Sequence, residues 1–136
     1  MDEKYMLEAL KLAEKAMDED EIPVGAIIVK NNEIIGCGYN QKERTKNPLK
    51  HAELIAIEEA CKKIGDWRLN GCVLYVTLEP CPMCMGAIVE TRLDKVVYGL
   101  SKNEHLYEND VAVVDGILEE KCLILLQNFF KNKRNK

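Results

Sequence analysis

Along residues 3–17 the positions Tyr5, Met6, Ala9, Leu10, Leu12, Ala13, Ala16 and Met17 recur at helical spacing between lysines and glutamates, which predicts an amphipathic helix. After Pro23 the period changes. The apolar run Val24 to Val29 reads as a buried strand, Asn31, Asn32 and Glu33 turn the chain, and Ile34, Ile35 and a glycine-punctuated continuation to Tyr39 complete a hairpin. A polar loop is expected from Asn40 to Lys50. It delivers His51 to a second helical pattern, in which Leu54, Ile55, Ile57, Ala60, Cys61 and Ile64 form the apolar stripe and Gly65 supplies the stop. Cys72 to Thr77 reads as a strand, Glu79-Pro80 as a turn, and Pro82 to about Thr91 as a helix with proline in its first turn. Lys95 to Tyr98 forms a further strand, Val111 to Val114 a weaker one, and Leu118 to Arg134 a closing helix carrying Leu123, Leu125, Leu126, Phe129 and Phe130. The order α-β-β-α-β-α-β-β-α, without repeat, low-complexity stretch or linker, implies one α/β stack of a sheet flanked by helices, a single domain over residues 1–136.

Composition narrows the setting. No stretch approaches the roughly 18 apolar residues that would cross a bilayer, and the start has no basic region ahead of an apolar run, so no membrane partner and a cytoplasmic location are expected. With no export signal, the six cysteines read as metal ligands and packed thiols rather than a disulfide framework. The net charge of -4 argues against a general nucleic-acid coat. Local charge is different: Lys42, Arg44, Lys46 and Lys50 face only Glu43, and Lys131, Lys133, Arg134 and Lys136 in the tail are unopposed. Solvated surface and phosphate contact are both open readings of these two stretches.

The chemistry concentrates in two short motifs. Cys81 and Cys84, two residues apart at a helix start, can reach one ion, and the amides and positive partial charge there favour thiolates. Alone, C-x-x-C also suits redox motifs and structural zinc modules. His51 completes the three N/S ligands of a catalytic Zn2+ site with an open position. Glu53, two residues from His51, is then placed to move protons for a zinc-activated water. H-x-E paired with P-C-x-x-C is the established signature of zinc deaminases. Other candidates read as structural: Cys37, Cys61, Cys72 and Cys122 as packed thiols, His105 beside Glu104 and Glu108 as a loop side chain, and Trp67 and Tyr107 as core or interface residues. Glu79 is a candidate to orient the Cys81 turn. Phe129 and Phe130, adjacent on a helix, cannot share one face, which leaves one of them to meet RNA or a partner.

HAE at 51–53 and TLEPCPMCMGAI at 77–88 resemble the cytidine deaminase-like superfamily. Within it, IPVGAIIV at 22–29, GYN at 38–40, RLDKVVYG at 92–99 and GILEEKCLILLQNFFKNKR at 116–134 are similar to bacterial tRNA adenosine deaminases, over nearly the whole chain. The resemblance implies a three-layer α/β fold with a five-stranded mixed sheet, conversion of a wobble adenosine to inosine, a tRNA anticodon stem-loop as partner, and a homodimer. It also implies that Asn40 hydrogen-bonds the flipped base, that Val24 packs on its face, and that the Ala52 backbone helps orient it. Two features depart from the family pattern: the segment between Tyr98 and Val111 is short, and Leu49 and Lys50 replace small residues before the HAE motif. Either could redirect the enzyme, so a free nucleobase or nucleoside (guanine, cytosine, adenosine or a modified purine) is the alternative substrate. A noncatalytic zinc-stabilised binding module is the remaining reading.

Overall fold

The computed structural model describes residues 2–105, 107 and 109–134. Expectations that fell on Glu108, on Lys136 and on the Arg134 side chain lie outside the described residues. The elements are α1 (Asp2–Asp18), β1 (Gly25–Lys30), β2 (Glu33–Tyr39), α2 (Lys42–Thr45), α3 (Ala52–Ile64), β3 (Val73–Leu78), α4 (Pro82–Glu90), β4 (Lys95–Leu100), β5 (Ala112–Val114) and α5 (Glu119–Arg134). All nine expected elements form. The expected polar loop is corrected: it contains α2, a single turn with no buried residue and therefore no apolar period to announce it, closed by left-handed Lys46.

The strands form one mixed sheet in the order β2-β1-β3-β4-β5, with β1 antiparallel to both neighbours and β3, β4 and β5 parallel. Alternation along the strands builds two cores. Ala26, Ile28, Leu74, Val76, Val96 and Tyr98 face one way with α3 and α4, joined by Ala52, Ala56, Met85 and Ile88. Ile27, Val29, Tyr75 and Val97 face the other way with Tyr5, Met6 and Ala9 of α1 and Cys122 of α5. The result is three layers, helices on both faces of the sheet.

Register decides what meets at the sheet's rim. Gly25 pairs with Tyr39, Ala26 with Val76, Val76 with Tyr98 and Leu78 with Leu100. Val24, Asn40, the Glu79–Cys81 turn and Ser101–Lys102 therefore emerge along one edge, at the carboxyl ends of β3 and β4, where open α/β sheets leave a crevice. Helices α3 and α4 both begin at that edge.

Gly38 lets α3 sit directly on β2: a Cβ there would lie 2.5 Å from the Ala52 carbonyl oxygen and 2.8 Å from Ile55 Cβ. Backbone cannot yield as a side-chain tip can. Gly38→Ala is therefore expected to cost about 1–3 kcal/mol by overpacking, read as a lower thermal midpoint; an unchanged midpoint would show that α3 shifts freely.

Candidate active site

His51 and Cys81 occupy the residues just before α3 and α4, both in extended backbone conformation, and their carbonyls accept the first helical bonds from Ile55 and Met85. Two helix starts thus converge on one point. His51 Nδ1 lies 3.5 Å from Cys84 Sγ and 3.7 Å from Cys81 Sγ, and the three ligand atoms all lie within 4.8 Å of one another. Tetrahedral zinc, with Zn–S of about 2.3 Å and Zn–N of about 2.0–2.1 Å, sets its ligands roughly 3.5–3.8 Å apart. Spacing and donor chemistry both fit that ion.

Electrostatics adds a second argument for a cation. Burial pushes the Cys84 thiol far above its ordinary value, and the Glu53 carboxylate and Cys81 push it further the same way. Without a positive charge that sulfur stays protonated; a divalent ion reverses the balance. Burial also lowers the His51 pKa, aided by the charges of Lys42 and Lys102, which favours the neutral, ligating imidazole.

Glu53, in the first turn of α3, is 4% exposed. Burial pushes its pKa up to about 6, against the opposing pull of its own backbone amide, the Cys84 thiol and the Lys102 charge. A carboxyl in that range can both take and give a proton near neutrality. Asn40 Oδ1 accepts the Ala52 N–H at 2.8 Å, so the amide that starts α3 fixes the Asn40 side chain. Ala52 is fully buried, and Val24, 4% exposed, lines the same cleft as Asn40, His51, Glu53 and Cys81. The cleft encloses about 750 Å³.

Two buried carboxylates shape the walls, one of them, Glu21, missed by sequence reasoning. Glu21, 2% exposed, accepts the amides of Glu43 at 3.0 Å and Arg44 at 2.7 Å, which is what holds α2 in place. Its only signal was an acidic stretch, Asp18 to Glu21, that reads as solvated surface. Glu79 was expected to orient the Cys81 turn. Instead it accepts the amides of Lys102 at 2.7 Å and His105 at 2.9 Å and the Ser101 hydroxyl at 3.1 Å, tying down the segment after β4. Burial works upward on its pKa, and those donors outweigh it to hold the carboxyl below its ordinary value.

Of the other candidates, Cys72 and Cys122 are buried and Cys37 and Cys61 half-buried, all as free thiols. Trp67 is not a core residue: it is 48% exposed, with the Arg68 and Arg92 guanidinium groups 4.6 and 5.3 Å from its ring centre. Tyr107 is 45% exposed and likewise outside the core. Phe129 is buried and Phe130 exposed, yet both line the cleft.

A donor set suited to zinc with a buried carboxyl beside it is what a zinc deaminase requires. Residues 1–100 match the family described as the cytidine and deoxycytidylate deaminase zinc-binding region. The tRNA-specific adenosine deaminase of Bacillus subtilis (strain 168) is 45% identical, over 99% of this chain and 92% of that protein. That alignment spans 148 positions against 136 residues here, so the relative carries residues without a counterpart. A solved structure from studies of A-to-I editing by tRNA:A34 deaminases superposes with a TM-score of 0.84 at 31% identity, covering 90% of this chain and 99% of that one. A Bacillus subtilis guanine deaminase superposes with 0.71 at 37% identity, covering 80% of this chain and 70% of that one. The chain belongs to the cytidine and deoxycytidylate deaminase family of zinc-binding hydrolytic deaminases.

Proposed function

We propose that this chain, acting as one deaminase domain over residues 1–136, hydrolyses the 6-amino group of the wobble adenosine in a tRNA anticodon, giving inosine and ammonia. The observation that carries the reading is the buried Glu53 carboxyl beside the His51, Cys81 and Cys84 donor set. Near full-length likeness to tRNA-specific adenosine deaminases supports the choice of substrate.

His51, Cys81 and Cys84 would hold the ion through one nitrogen and two sulfurs. When bound, zinc supplies Lewis acidity that makes water a nucleophile near neutral pH. Glu53 takes one proton from the water that attacks C6 and delivers it to N1, then takes the second proton from the new C6 hydroxyl and passes it to the departing amine; water is consumed and ammonia released, so the protons balance. Asn40 commits its Oδ1 to Ala52, which leaves its Nδ2 to donate to the base. Ala52 thus orients the base through Asn40, and Val24 packs on the ring. An anticodon loop suits such a cleft because extruding an unpaired base costs less than opening a duplex.

Among the described residues no helix is long and apolar enough to cross a membrane; a cytoplasmic location is part of the same proposal. A homodimer completes this reading: Leu49, two residues before His51, and Met83, between the two cysteines, are 56% and 37% exposed, apolar surface that a second copy would cover.

The test is incubation of zinc-loaded protein with anticodon stem-loop RNA, nucleosides and free purines and pyrimidines, reading inosine and ammonia. Inosine should form in the loop RNA. Ammonia from a free base such as guanine, with no inosine in RNA, would overturn the tRNA assignment and favour the small-molecule reading.

A further inference from the structure

The two buried carboxylates that clasp the cleft walls do more than close the fold. Glu21 fixes the amides of Glu43 and Arg44, immediately after Lys42, and Glu79 fixes the amide of Lys102 itself. Charge-assisted bonds of this kind are strong and position their donors tightly. By strand order, one clasp holds the segment after β2 and the other the segment after β4, with β1 and β3 between them. Lys42 and Lys102 therefore reach the cleft from opposite walls, and both charges bear on His51.

The remaining cations of the cleft are committed elsewhere. Arg44 is held by Glu19 at 3.1 Å and Gln41 at 2.7 Å, and Lys133 by Asp20 at 2.8 Å. Among the described residues Lys42 has no carboxylate ion pair, and Lys102 has only a long one with Glu104, 3.8 Å against the 2.8 Å of Lys133 and Asp20, besides the charge of Glu53 nearby. Two lightly held ammonium groups thus flank the base site. A free base offers them no anion, whereas a nucleotide within a strand carries a phosphate on each side.

We infer that Lys42 and Lys102, positioned by Glu21 and Glu79, form a two-sided clamp for the phosphates flanking the extruded nucleotide, selecting a strand-embedded nucleotide over a free base or nucleoside. The clamp rests on the RNA reading above. It assigns a function to the short segment after β4, as a clasped platform for one cation.

Binding and turnover of anticodon stem-loop RNA should be measured across salt for zinc-loaded wild type, Lys42→Ala, Lys102→Ala, Lys102→Arg and Glu21→Gln. Each alanine variant should raise Kd and KM by roughly 5–10-fold, more than it changes kcat, and reduce the log–log salt slope by about 1. Lys102→Arg should keep the wild-type slope, and Glu21→Gln should raise KM without lowering kcat. Zinc content and thermal midpoint serve as folding controls. Wild-type KM and slope in Lys102→Ala, or a loss confined to kcat, would overturn the clamp while inosine formation by the wild type leaves the substrate assignment standing. RNA binding without inosine would remove the substrate assignment and still let the slopes decide the clamp. No binding by the wild type overturns both.

Discussion

Replacing Glu53 by glutamine is expected to lower kcat by about 10³–10⁴-fold, the upper end of what a positioned acid or base contributes, while zinc stays bound. The upper end applies because one carboxyl handles every proton in the sequence, from water to N1 to the amine. Glutamine matches its shape, donates no proton at that pH and accepts none. Stability should move the other way. Burial already disfavours the Glu53 carboxylate, raising its pKa to about 6, so a neutral amide in the same 4% exposed position relieves a desolvation cost. The thermal midpoint of Glu53→Gln should equal or exceed that of the wild type, a trade of stability for activity that marks functional sites. Metal analysis, melting and inosine yield on one preparation check all three statements. A loaded variant with full turnover would remove Glu53 from the reaction.

Elements with a long apolar period were legible in the sequence, and so was the chemistry attached to their starts. The stripe from Leu54 to Ile64 placed His51 at a helix start, and Pro82 placed Cys81 and Cys84 at another. What periodicity could not give was how those starts meet, which depends on register: Gly25 opposite Tyr39 and Ala26 opposite Val76 bring Val24 and Asn40 to the cysteine turn. Gly38 read only as strand punctuation, yet it is the absence of a side chain there that admits α3.

The Glu21 clasp and the partners of Glu79 were illegible for a different reason. A carboxylate that accepts backbone amides leaves no trace in its partners' identities, since every residue but proline has an N–H. Glu21 therefore looked like its acidic neighbours, and α2, held by it, looked like loop. Of the two packing roles read for Trp67, core and interface, the first is excluded: the ring is 48% exposed, with Arg68 and Arg92 over it at the surface.

Removal of Cys84 is the second large effect, and it separates ligation from packing. Cys84→Ala leaves two of three protein ligands, too few for a tetrahedral zinc site with one open position, so the variant should fall from about one zinc per chain to nearly none after dialysis against a chelator and lose turnover with it. Because a ligand bound only by the native state stabilises that state, chelation should lower the thermal midpoint of the wild type and leave that of Cys84→Ala unmoved. Cys72→Ala is the matched control: Cys72 is also fully buried with its thiol pushed up by burial, but it lies outside the donor set. It should lose packing energy, keep its zinc and still respond to chelator. Stoichiometric zinc in Cys84→Ala would show that the two sulfurs and the imidazole do not share an ion, and zinc loss in Cys72→Ala would show that any hole in that core releases the metal.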